Sequence, residues 1–94
     1  TGLYSIGNGG NGIESDVASD SHFIGGASVK NGGDGINTSG DRTKISNFYL
    51  DTNAGYGINL VDVGSVDTKI SSCEFSSNTS GDINEVGKGT IIDP

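Results

Sequence analysis

Cysteine occurs only once in these 94 residues, at Cys73, so no disulfide can form within the chain. A chain of this size buries too little surface to be very stable unaided, and no paired Cys/His spacing of a zinc site compensates, so support must come from elsewhere. Methionine and tryptophan are absent, Pro94 is the sole proline, and apolar residues make up only 31%. Cations are scarce as well: Lys30, Arg42, Lys44, Lys69 and Lys88 stand against 12 acidic residues, for a net charge of -7. Neutralising phosphates is the main source of affinity for nucleic acid, and no basic patch is present to do it, so DNA and RNA are not expected partners. Long apolar runs are missing too. Asn59-Leu60-Val61 and Thr90-Ile91-Ile92 are far too short to cross a bilayer, and no charged-then-apolar leader opens the chain, so membrane insertion is not expected. The chain starts at Thr1 without methionine and stops at Pro94 just after a new apolar run, so residues 1–94 are expected to be one segment of a longer protein.

What the chain has in quantity is small and polar: 17 glycines, 13 serines and 9 asparagines. Low hydrophobicity with net charge would suit disorder. Against that, the charged fraction of 18% is below that of an average soluble domain, and the apolar residues recur at regular intervals. Ile6-Gly7-Asn8-Gly9-Gly10-Asn11-Gly12-Ile13 returns 23 residues later as Val29-Lys30-Asn31-Gly32-Gly33-Asp34-Gly35-Ile36. The same frame follows as Leu50 to Ile58 and as Phe75 to Ile83, each aligned with one added residue. Superposing the four copies gives the columns Tyr4/Ala27/Phe48/Cys73, Ile6/Val29/Leu50/Phe75, Asn8/Asn31/Asn53/Asn78 and Ile13/Ile36/Ile58/Ile83, with Ile24/Ile45/Ile70 beside them.

Offsets of 23, 22 and 25 residues between successive isoleucines of the four-membered series match one coil of a parallel β-helix and are too short for most helical-pair repeats. Within a repeat the residues alternate as in strands: Phe48 and Leu50 share one face and Tyr49 the other. Short strands rich in Ile, Val and Phe, punctuated by Gly, Asn, Asp and Ser turns, would set like residue above like residue at a strand separation of about 4.8 Å. The expected fold is therefore all-β, a right-handed parallel β-helix of about four coils of roughly 22–25 residues. In the asparagine column each amide can donate to one neighbour and accept from the other, which predicts a ladder of the kind found in stacked β structure. Gly12, Gly35 and Gly57 precede isoleucines at a position expected to need a positive φ or a close backbone approach, with Asp82 replacing glycine in the last copy.

The pattern Gly-Ile, about ten residues, Ile-Ser-x-x-x-Phe, then Asn and a return to Gly-Ile resembles the parallel β-helix repeat of pectate-lyase-like proteins and phage tailspikes. The best copy runs from Gly57 to Ile83, and the likeness covers nearly the whole chain. It is a fold signature with no catalytic residue in it, and the family includes lyases, glycoside hydrolases, epimerases, adhesins and viral attachment fibres. A tailspike likeness implies a homotrimer, an extracellular or virion-surface location, and a cell-surface or extracellular polysaccharide as partner. The expected role is a rigid stalk or carbohydrate-contacting body in host-cell attachment. The alternatives are part of a secreted pectate-lyase-like polysaccharide lyase or glycoside hydrolase, that is, a depolymerase, and a purely structural adhesin or capsid-decoration module. Resemblance to the lyases would imply calcium and an arginine base, but Arg42 is the sole arginine and has no convincing acidic cluster beside it.

Individual motifs are better explained by the repeat. Gly7 to Gly12 fits the dinucleotide-binding glycine spelling, but no helix pattern follows it, so it is a turn of the repeat. Gly87-Lys88-Gly89-Thr90 lacks the Ser or Thr directly after Lys88 that a phosphate loop requires. Gly9 to Glu14 and Gly32 to Asn37 partly resemble the calcium-binding nonapeptide of secreted β-rolls, yet Asn37 stands where a carboxylate belongs; no cofactor is expected, and calcium is the one metal the turns bring to mind. His22 has no second His or Cys near it, and Cys73, in an inward column, is expected to be an inert buried thiol. Asn37-Thr38-Ser39 and Asn78-Thr79-Ser80 spell glycosylation sequons, although ladder duty at Asn78 argues against a glycan there.

The chemistry-bearing candidates are outward residues of one strand. Tyr49 and Glu74 share a column, with Lys30, Asp51 and Ser76 expected two residues further along. Asp51 and Glu74 are then diagonal neighbours, their β-carbons about 7 Å apart. Side-chain reach could bring the carboxyl groups to the separation used by paired acids in glycoside hydrolysis, with Tyr49 as a sugar-stacking platform. Asp51 and Glu74 are thus the candidate catalytic pair, and Tyr49, Asp51 and Glu74 the candidate carbohydrate contacts. The competing reading is a solvated acidic face, since some adjacent acidic pair is expected among 12 such residues.

Overall fold

Alternating short runs of β-branched residues between Gly/Asn turns fold as strands and nothing else in the computed structural model, which describes residues 3–16, 20, 22–39, 42–60, 68–85 and 91–93. The strands are β1 (Leu3–Ile6), β2 (Ile13–Asp16), β3 (His22–Val29), β4 (Ile36–Ser39), β5 (Lys44–Asp51), β6 (Tyr56–Leu60), β7 (Lys69–Ser71), β8 (Glu74–Ser76), β9 (Gly81–Glu85) and β10 (Ile91–Asp93). They form two sheets. One has the order β1-β3-β5-β7-β10 with β8 also on β5, and the other the order β2-β4-β6-β9. Every pairing is parallel. The expectation of an all-β chain of parallel strands holds.

One core joins the sheets. Ile45, Phe48, Leu50 and Ile70 from the first sheet meet Ile36, Ile58 and Leu60 from the second, each at most 2% exposed, with Ile13, Phe23, Cys73, Phe75 and Ile83 packed against them. Ile13, Ile36, Ile58 and Ile83 stand in direct register. Only the two inner members of that series are fully covered; Ile13 and Ile83, at its ends, are half-buried.

The register corrects three of the expected columns. Ala27 pairs with Tyr49, not Phe48, and Ser28 pairs with Leu50. The true columns are Tyr4–Ala27–Tyr49–Glu74, Ser5–Ser28–Leu50–Phe75 and Ile6–Val29–Asp51–Ser76. The expectation slipped by one residue between the second and third copies because it matched apolar residues to one another. In the first two copies the inward place belongs to serine, whose hydroxyl donates to a glycine carbonyl: Ser5 to Gly12 O at 2.6 Å and Ser28 to Gly35 O at 2.7 Å. A buried hydroxyl is tolerated when it is bonded in this way. With the correct register no copy has an added residue; Ser5, Ser28, Leu50 and Phe75 each precede the column asparagine by three and the column isoleucine by eight. Likewise Phe23, not Ile24, aligns with Ile45 and Ile70, and Ile24 is 57% exposed opposite Ser46. Lys30 lies one place beyond the Asp51 column, its N–H donating to Asp51 O at 3.0 Å.

Turn chemistry holds the frame in place. Asn8 Nδ2 donates to Asn31 Oδ1 at 3.0 Å, Asn31 Nδ2 to Asn53 Oδ1 at 3.0 Å, and Asn53 Nδ2 to Asn78 Oδ1 at 2.9 Å. Each accepting oxygen also takes the backbone N–H of the preceding ladder asparagine. Immediately before each asparagine the chain turns through positive φ, at Gly7, Lys30, Thr52 and Ser77, and a second such series, Gly25, Asn47 and Ser72, bends the first sheet. The glycines preceding isoleucine were expected to need either this conformation or close approach, and close approach is the reason. A Cβ on Gly35 would lie 2.6 Å from Gly57 O, and one on Gly57 would lie 2.8 Å from Phe75 Cδ1.

Candidate functional site

The outward face of the first sheet collects the exposed large apolar side chains, namely Tyr4, Ile6, Ile24 and Tyr49, because alternation sends their neighbours Ser5, Phe23 and Leu50 inward. Tyr49 lies in register with Glu74, and Asp51 with Ser76, so Asp51 and Glu74 are diagonal neighbours on adjacent strands as expected. Tyr49 OH donates to Asp51 Oδ2 at 2.9 Å, and Thr52 Oγ1 donates to Asp51 Oδ1 at 2.8 Å. Both Asp51 oxygens therefore hold a hydroxyl. That bond, followed by the Asp51 charge and a smaller push from Glu74, raises the Tyr49 phenol above its ordinary value of 10.0.

An open groove of about 370 Å³ adjoins these residues, lined by Gly26, Asn47, Phe48, Tyr49, Ser72 and Glu74. Its rim is the bend in the sheet, where Asn47 and Ser72 sit at positive φ and project polar groups outward. The arrangement offers an aromatic face, an amide, a hydroxyl and a carboxylate around a shallow floor. Those are the donors, acceptors and stacking surface that a polyol ring can use. A second groove of about 460 Å³ follows the asparagine turns, lined in part by Asn31, Asn53, Lys30 and Thr79. Its asparagine amides are already spent on the ladder.

Other candidates fall elsewhere. Asp34, 8% exposed and within the nonapeptide-like stretch, accepts from Tyr56 N–H at 2.8 Å and from the Asn37 and Asn59 amides at 2.9 Å each. Its oxygens serve an internal network, which extends to Asn84 Nδ2 on Asn59 Oδ1. His22 is exposed and in register with Lys44, away from Tyr49. Cys73 is half-buried against the core, less covered than the buried thiol expected, and burial raises its thiol pKa despite the opposing pull of backbone bonds at Phe48 and Asn47. Among the described residues no three His, Cys, Asp or Glu side chains group to hold a metal. Gly87 to Thr90 lie outside the described residues.

Tyr4 is the residue that sequence reasoning missed. Its true column partner is Tyr49, two strands away, and only the corrected register brings the two aromatics into line. Comparison with family models, with curated proteins and with solved structures yields no match to this chain.

Proposed function

We propose that the chain is a stretch of right-handed parallel β-helix forming the rigid, carbohydrate-contacting body of a tailspike-like or other surface-exposed attachment protein. Connectivity supports that hand: β1 and β3 are parallel neighbours with β2 of the other sheet between them in the chain, and crossovers between parallel strands of one sheet are right-handed in about 98% of cases. Rigidity follows from the continuous amide ladder and the in-register isoleucines.

The observation that carries the ligand reading is the exposed Tyr49 ring, tethered to Asp51 and bordered by Glu74, Asn47 and Ser72. Because Asp51 spends both oxygens on hydroxyls, the site favours holding a sugar over attacking one. The Asp51–Glu74 diagonal keeps a polysaccharide hydrolase as the second reading. In the parent protein the segment belongs outside the cell or on a virion surface, in a homotrimer, touching a cell-surface polysaccharide. Glycan-array binding by the parent, with its mass in solution, tests this: binding without turnover by a trimer is expected. A parent that binds no glycan would refute the ligand reading, and a monomeric parent would refute the trimer.

A further inference from the structure

The column Tyr4–Ala27–Tyr49–Glu74 runs straight across four adjacent strands on the outward face of the first sheet. Tyr4 is 68% exposed and Tyr49 is 42% exposed, whereas Ala27 between them is a half-buried methyl group. Two aromatic side chains therefore flank a low floor, and their Cα positions are about 9.5 Å apart, two strand separations. The bond from Tyr49 OH to Asp51, two residues along the same strand, lays that side chain down along its strand and away from the floor.

From this juxtaposition we propose that Tyr4 and Tyr49 are two stacking subsites for one linear, uncharged polysaccharide, a β-1,4-linked hexopyranose chain lying across the strands. This proposal deepens the carbohydrate reading above and rests on it. An extended chain with equatorial linkages presents a flat C–H face at each ring and repeats every second sugar. Two platforms two strand separations apart suit such a repeat, with the intervening sugar over Ala27. The charge balance selects a neutral chain. Asp51 and Glu74 flank Tyr49, and the whole molecule carries -7, so uronic-acid or sulfated chains are repelled. Asn47 and Ser72, beside the groove, add hydrogen bonds to hydroxyls at the Tyr49 end.

The test is calorimetric titration of the 94-residue chain with β-1,4-linked glucose, mannose and N-acetylglucosamine oligosaccharides of two to six units. For at least one series, affinity is expected to rise steeply once the oligomer spans both rings, and Tyr4→Ala should lower hexasaccharide affinity about tenfold while leaving disaccharide binding unchanged. Tyr49→Phe, which keeps the ring, should retain binding better than Tyr49→Ala, and Ala27→Arg, which fills the floor, should abolish the length dependence. If Tyr4→Ala leaves the hexasaccharide unaffected while Tyr49→Ala weakens it, the two-platform arrangement is wrong and the single-site reading stands. If no neutral oligomer of the three series binds, the proposal is overturned; acidic glycans binding instead would preserve only the broader reading. Should sedimentation show self-association abolished by Tyr4→Ala, the face is a protein contact and the proposal again fails.

Discussion

Replacing Asn53 with alanine should cost the 94-residue chain far more than the same change at Asn8, although both occupy the same column. Asn53 is 1% exposed and its side chain takes part in four hydrogen bonds. Two are donated, to Ser28 O at 3.0 Å and Asn78 Oδ1 at 2.9 Å; two are accepted, from the Asn31 backbone N–H at 3.2 Å and its amide at 3.0 Å. At a net worth of about 1 kcal/mol per bond, the loss is about 4 kcal/mol, and the deserted N–H of buried Asn31 pushes it higher. Asn8 is exposed and, among the described residues, its side chain makes two bonds, donated to Asn31 and Ser5, so its removal should cost about 2 kcal/mol at most. A domain of this length has a total stability of about 5–14 kcal/mol, so the Asn53 variant should show a large fall in urea midpoint and the Asn8 variant a small one. Equal midpoint shifts for the two would refute the claim that the ladder's interior carries the stability.

Three further outcomes are expected. Gly35→Ala should destabilise by about 2 kcal/mol or more because its Cβ would meet Gly57 O at 2.6 Å, whereas Gly10→Ala, with nothing within 4 Å, should leave the thermal midpoint nearly unchanged. The Tyr49 phenol should ionise above its ordinary value of 10.0 in an ultraviolet pH titration, and Asp51→Asn should bring it down towards 10.0. The sign is that of a group whose folded pKa is raised: the Tyr49–Asp51 bond contributes in full below the unfolded value and is lost as pH climbs through the folded one. Asp51→Asn with Glu74→Gln should weaken glycan binding in a protein that turns over no polysaccharide; wild-type turnover that this double variant lowers more than 100-fold would instead establish the hydrolase reading.

Much of the fold was legible because backbone-driven positions repeat without exception. Asn8, Asn31, Asn53 and Asn78 each precede their isoleucine by five residues, and these eight positions fall into register as read. What failed was the assumption that an interior column is apolar throughout. Ser5 and Ser28 occupy places that Leu50 and Phe75 fill later, since a hydroxyl bonded to a glycine carbonyl satisfies the interior as a hydrocarbon does. Fixed spacing to the asparagine would have revealed this where hydrophobicity could not. For the site, Tyr49 and Glu74 were aligned correctly because they follow the asparagine frame, whereas Tyr4 was paired with Phe48 by its aromatic character and so lost its true relation to Tyr49. Hydrogen bonding at Asp51 depends on which rotamer Tyr49 adopts, and no spacing rule encodes that.

The uneven distances from Ile13 to Phe23, Ile36 to Ile45 and Ile58 to Ile70, against uniform distances everywhere else in the frame, define a permissive seam. Length varies between copies in that stretch without shifting the strand register on either side, and added length in a chain connection costs little entropy. Diversification of such a scaffold should therefore concentrate in this stretch of each copy, and a peptide inserted between Leu60 and Thr68 should be accepted where the same peptide placed between Asn53 and Ile58 would abolish folding.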